Sequence, residues 1–137
     1  MKMTERAWAA QVDDLALING WRGYGVLNST RVVRRRSGAI VRATNIIAGG
    51  KGFPDRIYVR VRDVRMVIVE LKQDGRYPEP AQREWLADLK RIAHAIGDTT
   101  DRLMLSGSAL AVKEPFGRLE IYVWRPSDVD QVVEVLA

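Results

Sequence analysis

The chain has 137 residues, 47% hydrophobic and 28% charged, with a net charge of +5; these proportions fit one soluble globular domain, residues 1–137, with its own core. Cysteine is absent and His94 is the one histidine, which excludes disulfides, thiolate zinc centres, a cysteine nucleophile and a histidine-rich metal site. Any metal site must use oxygen ligands, which suit Mg2+, Mn2+ or Ca2+, and the basic balance favours a polyanionic partner, nucleic acid first.

No apolar run approaches the length that spans a bilayer and no secretory leader is visible, so a cytoplasmic protein that does not cross a membrane is expected. Residues 4–19, TERAWAAQVDDLALIN, space Trp8, Val12, Leu15 and Ala16 as a helix does, with Thr4 as N-cap and Gly20 at the stop. Glu5 projects from the N-terminal end of that apolar face, whereas Asp13 and Asp14 read as a solvated face. RVVRRRSGAIVRAT (31–44) flanks Ser37-Gly38 with two β-rich runs, which predicts a hairpin. AGGKG (48–52) predicts a loop. IYVRVR (57–62) alternates as a strand should, and MVIVEL (66–71), apolar on both faces, should be central in its sheet.

Pro80 opens a helix, AQREWLADLKRIAHAI, that Gly97 is expected to close. Its apolar face carries Trp85, Leu86, Leu89, Ile92, Ala93 and Ile96, and Gln82 lies on the same stripe. A short helix and a turn at Pro115–Gly117 are expected within residues 98–118. LEIYVW (119–124) reads as the last strand, and RPSDVDQVVEVL as a turn and a closing helix capped by Ser127.

The stretch GFPDRIYVRVRDVRMVIVELK (52–72) places charges at the end of an apolar strand, where they are costly unless paired or bound. Glu70 and Lys72 are two apart and share a face. A two- or four-residue turn within Arg62–Arg65 sets Glu70 opposite Ile57 and Lys72 opposite Asp55. Asp55 is then a diagonal neighbour of Glu70, at roughly 7–8 Å. Two carboxylates able to hold a divalent cation thus meet an ammonium able to orient or help deprotonate water, which is chemistry that cleaves phosphodiesters. A same-face ion pair at a strand end is the alternative.

Arg31, Arg34, Arg35, Arg36 and Arg42 put five arginines into twelve residues of the hairpin, either to contact phosphates or to protect an edge strand with charge. Lys51 adjoins the site in a loop whose amides could approach a phosphate or simply face solvent. Arg56, Arg60 and Arg62 alternate on the face opposite Asp55. No helix-turn-helix or zinc finger is present, which favours structure-selective over site-specific cutting.

GFPD, VELK, AQREWLADL and YVWRPSD, with the opening TERAWAAQVDDLALINGW, together resemble the VRR-NUC branch of the PD-(D/E)xK nuclease superfamily, whose small stand-alone members are often phage-encoded. The resemblance covers residues 4–21, 52–90 and 121–136. It implies an α/β, restriction-endonuclease-like fold, a central mixed β-sheet flanked by helices with the site at one end of the central strands. It further implies a Mg2+-dependent endodeoxyribonuclease, with Mn2+ as a substitute, that acts on branched DNA such as a Holliday junction and works as a homodimer. Asp55 and Glu70 match the metal-binding carboxylates, with the Leu71 carbonyl as a further ligand. Lys72 matches the catalytic lysine, Glu5 the first-helix acid and Gln82 a glutamine placed near the site. The rival readings are a non-catalytic DNA-binding module and a nuclease acting on RNA. The stretches 30–51 and 97–118 are longer than the family's connections.

Overall fold

The computed structural model describes residues 2–26, 30–44, 49–105 and 117–137, with side chains for all of these except 30–33, 41–44 and 98–105. The chain is mixed α/β. Helix α1 (Glu5–Ile18) is followed by strand β1 (Arg22–Gly25), the hairpin strands β2 (Thr30–Arg34) and β3 (Ile40–Thr44), and the central pair β4 (Arg56–Arg60) and β5 (Arg65–Leu71). Helix α2 (Pro80–Leu105), strand β6 (Arg118–Trp124) and helix α3 (Val129–Leu136) complete it. Among the described residues, four strands form one sheet in the order β1-β4-β5-β6, antiparallel except for the parallel pair β5/β6, while β2 and β3 pair only with each other.

The first helix forms where its spacing predicts. Thr4 caps it, its hydroxyl accepting from the Ala7 amide at 3.1 Å, and Gly20 leaves it at φ +80, a conformation that favours glycine. Trp8, Val12 and Ala16 are buried against Tyr58, Val67, Val69, Leu71 and Trp124, joined by Val132 and Leu136 of α3. The β5 alternation sends Val67, Val69 and Leu71 to this core, and Met66, Ile68, Glu70 and Lys72 to the other face, where α2 packs. Both faces of β5 are thereby covered from Val67 to Leu71, as its apolar run requires, while Met66 near its start is exposed.

Several expectations are corrected. Helix α2 runs through Gly97 to Leu105; an interior glycine costs only about 1 kcal/mol, too little to end a helix whose pattern continues. Ile92 is exposed rather than part of a buried stripe. The closing helix starts one residue later than expected, with Asp128 at its cap. The Ser127 amide instead donates to Asp74 Oδ1 at 3.0 Å. The expected turn at Pro115–Gly117 lies, apart from Gly117, outside the described residues.

The β4–β5 register also differs. Ile57 pairs with Ile68, and Arg60 with Arg65, so the turn is Val61–Val64. Continued by one step, this register brings Asp55, not Ile57, opposite Glu70. The shift equals two residues, so every side chain keeps its face. The turn closes through Val64, a β-branched residue at φ 53, in a region such residues rarely occupy. The Val64 amide donates to Val61 O at 3.1 Å, and its carbonyl accepts from Arg118 N at 2.9 Å.

Arg60, 4% exposed, ties the far end of the sheet to both helices of the core face. Its guanidinium donates to Asn19 O at 3.1 Å, Leu136 O at 3.2 Å and Ala137 O at 3.0 Å. It also pairs with Asp63 at 2.7 Å and lies 4.3 Å over the Trp21 ring. Arg60→Ala leaves carbonyls without a donor and is expected to cost about 3 kcal/mol or more in urea unfolding. Arg60→Lys should recover little of it, because an ammonium lacks the planar fork. A loss below about 1 kcal/mol in the alanine variant would contradict this role.

Candidate functional site

The β5 strand ends in Glu70, which has no exposed surface. Its Oε1 accepts from Lys72 Nζ at 2.8 Å and from the Gln82 amide nitrogen. Its Oε2 is buried with no hydrogen-bond partner among the described residues. Asp55 stands across the strand pair, its Oδ2 accepting from the Leu71 amide at 2.8 Å. Burial pushes the Glu70 carboxyl up to about 7; Lys72 opposes the shift, and the charges of Asp55 and Glu5 add to it. Burial alone would lower the Lys72 ammonium, yet Glu70, Glu5 and Asp55 together hold it above its ordinary value. Near neutral pH Lys72 is therefore a cation.

Gln82 is aimed by the start of its own helix. It is the third residue of α2, and its Oε1 accepts from the Glu79 amide at 2.8 Å, one half of a capping box. With the oxygen held there, the amide nitrogen is turned to Glu70. The helix start is brought in by Gly52 of GFPD, at φ +91: a Cβ there would stand 2.6 Å from the Ala81 carbonyl carbon. Only glycine allows that approach. Beyond Gly52, Phe53 meets the Trp85 ring edge-on at 4.9 Å.

The structure thus joins Asp55, Glu70, Leu71, Lys72 and Gln82 directly. Glu5 is exposed at the start of α1 and acts on Glu70 and Lys72 through its charge. Among the described residues, no three His, Asp or Glu side chains cluster closely enough to form a metal site by themselves. Lys51, Arg34, Arg35 and Arg36 are exposed; Arg31 and Arg42 lie on β2 and β3, and their side chains are outside the described residues.

Sequence reasoning missed the partners of Asp13, whose side chain is partly exposed, as expected, but also paired. It accepts from Arg56 Nε at 2.9 Å, Arg56 Nη2 at 3.1 Å and the Tyr58 hydroxyl at 2.6 Å. Burial and this bond push the Tyr58 phenol far above its usual range. Arg56 Nη1 also donates to the Asp55 carbonyl at 3.1 Å, and the Val26 amide donates to the same oxygen at 2.8 Å. The network therefore fixes the backbone of Asp55 from the side opposite its carboxylate. Arg56 and Arg60 do lie on the face away from the site, as their alternation implies.

The electrostatics set a pH dependence. Glu70 holds its proton more tightly folded, at about 7, than at its ordinary 4.5. The folded state then binds more protons than the unfolded one across that window, so metal-free stability falls as pH rises through it. Lys72 titrates well above the window and leaves the slope unchanged. In EDTA, Glu70→Gln should remove this component, so that the variant's Tm gains on the wild type from pH 5 to pH 8. Parallel Tm curves would show that burial does not raise Glu70.

No protein-family model matches the chain, and no curated protein or solved structure matches it either.

Proposed function

We propose that the chain is a divalent-metal-dependent DNA endonuclease of the PD-(D/E)xK type, acting at the Asp55–Glu70–Lys72 end of the central strand pair. The observation that carries this reading is the Glu70 carboxylate, wholly buried with one oxygen lacking a partner among the described residues. A buried charge with an unsatisfied oxygen is unfavourable unless something binds it. A cation offered Glu70 Oε2, the Asp55 carboxylate and the Leu71 carbonyl would meet only hard oxygen donors, a set that suits Mg2+, with Mn2+ as substitute. Such a metal supplies Lewis acidity toward a phosphate oxygen and toward a water nucleophile.

The chain's own groups account for the rest. Lys72, a cation fixed on Glu70, can donate to a phosphate oxygen and stabilise negative charge as it develops. Gln82 holds the Glu70 carboxylate in one orientation, the Leu71 amide holds that of Asp55, and the Arg56–Asp13 network fixes the Asp55 backbone. Glu5 adds a further acid within electrostatic range. The exposed Arg34, Arg35 and Arg36 form an arm for the DNA backbone. Branched DNA is the substrate this reading favours, and its two equivalent strands to cut call for a homodimer.

The test incubates supercoiled and four-way-branched DNA with Mg2+ or Mn2+. The wild type is expected to cut, and Lys72→Ala to cut at least about 100-fold more slowly. Asp55→Asn should keep the fold and lose metal affinity in calorimetric titration. DNA binding with no cutting in either metal would leave a non-catalytic binding module, with Glu70–Lys72 a structural ion pair. Preferential cutting of RNA would change the substrate class.

Replacing Arg34, Arg35 and Arg36 together with Ala should weaken DNA binding and reduce the slope of log K against log salt by about 2 to 3. An unaltered slope would assign the hairpin another role.

A further inference from the structure

Beyond Lys72 the chain makes a short excursion, residues 73–79, before entering α2. Both feet of this loop stand at the site, because Lys72 and Gln82 each contact Glu70. Tyr77 lies five residues from each foot, so its backbone is within about 17 Å of both even for a fully extended chain. The residue is 76% exposed. Arg125 arrives from β6 at the same place: the Lys72 amide donates to the carbonyl of the preceding residue, Trp124, at 3.0 Å. The Arg125 guanidinium stands 5.2 Å from the Tyr77 ring centroid.

A single exposed tyrosine is ordinary on a protein surface. This one differs in how firmly it is presented. Arg125 Nε donates to Arg76 O at 2.9 Å, which sets the guanidinium beside the ring. The loop is held by Arg76 N on Gln73 O at 3.0 Å and by Ser127 N on Asp74 Oδ1 at 3.0 Å. Arg83 Nη1 on Pro78 O at 3.2 Å and Glu79 N on Gln82 Oε1 at 2.8 Å close it. Each of these bonds uses a backbone group or a side chain next to Tyr77, and none uses Tyr77 itself. The ring is left projecting from a fixed loop with one side against a cation and most of its surface in water. The exposed Arg76 beside it is suited to a phosphate.

We propose that Tyr77, backed by Arg125, is a stacking platform for an unpaired DNA base at the entrance to the Glu70–Lys72 site. An aromatic face accepts any base by stacking, and a guanidinium on its other face strengthens it. A paired base inside a duplex presents no free face. The platform therefore selects DNA with a single-stranded segment next to the bond to be cut. The inference rests on the nuclease reading for its substrate, but it concerns binding, which is measured without metal.

The experiment compares a labelled oligo-dT with a duplex of equal phosphate number by fluorescence anisotropy in EDTA. Tyr77→Ala should weaken oligo-dT binding about tenfold and change duplex binding less than about twofold. Tyr77→Phe should bind as the wild type does, because the ring and not the hydroxyl is used. Tyr77→Trp should show fluorescence quenching on adding oligo-dT and none with duplex. Equal losses on both DNAs, no loss on oligo-dT, a Phe variant as weak as the Ala variant, or a Trp variant without quenching would each overturn the proposal. So would a wild type that binds no single strand. Cleavage of branched DNA is assayed separately with Mg2+. Quenching without cleavage keeps the platform and removes the nuclease reading; cleavage with unaltered Tyr77→Ala binding does the reverse.

Discussion

A carboxylate placed where water cannot reach it has to be answered by the protein around it, and Glu70 is answered from two directions. Lys72, two residues on along the same strand, supplies charge; Gln82, from the first turn of α2, supplies a neutral donor. Those two contacts decide how α2 meets the sheet at this end. The helix enters with its start over the end of β5, which also favours a negative charge beneath it. Gly52 removes the side chain that would hold GFPD and α2 apart. The local geometry of the chain from residue 52 to residue 82 is therefore organised around one buried charge whose second oxygen has no partner among the described residues.

The opposite face of the sheet solves a different problem with the same residue type. Arg60 reaches carbonyls at the ends of α1 and α3, so one guanidinium joins three elements. Arg56 joins Asp13 of α1 to the backbone of Asp55. Arginine suits both places because its donors lie in one plane and can serve several acceptors at once. The apolar core between these ties, from Trp8 to Leu136, makes the floor on which the site is built. The site is thus braced from below by arginines and closed from above by a helix start.

Much of this frame was legible in the sequence, because burial imposes a period. The spacing of Trp8, Val12 and Ala16, the apolar run of β5 and the turn residues at Gly20 and Gly38 all reflect local rules. The shared face of Glu70 and Lys72 follows from strand geometry alone. The register did not follow, since it depends on Val64 taking a conformation that no rule assigns to valine; Gly117 and Arg118 pack against it from a distant part of the chain. The pairing of the partly exposed Asp13 was not legible because its partners, Arg56 and Tyr58, are more than forty residues away. Tyr77 and Arg125 were hidden for the same reason. Short-range patterns locate the elements, while pairings between side chains of distant segments appear only once the chain is folded.

The bond from the Val26 amide to the Asp55 carbonyl has an architectural consequence. It joins the two ends of the excursion that carries β2 and β3, a hairpin that pairs with no other described strand. The hairpin Thr30–Thr44 is an appendage to a frame that Gly52 and Phe53 help to close against α2. Its length, charge and shape can vary without moving Asp55, since the frame is already sealed beneath it. The arginine-rich hairpin is in this sense an exchangeable attachment, and a different one grafted in place of Thr30–Thr44, with Gly52 and Phe53 kept on α2, would inherit the same site.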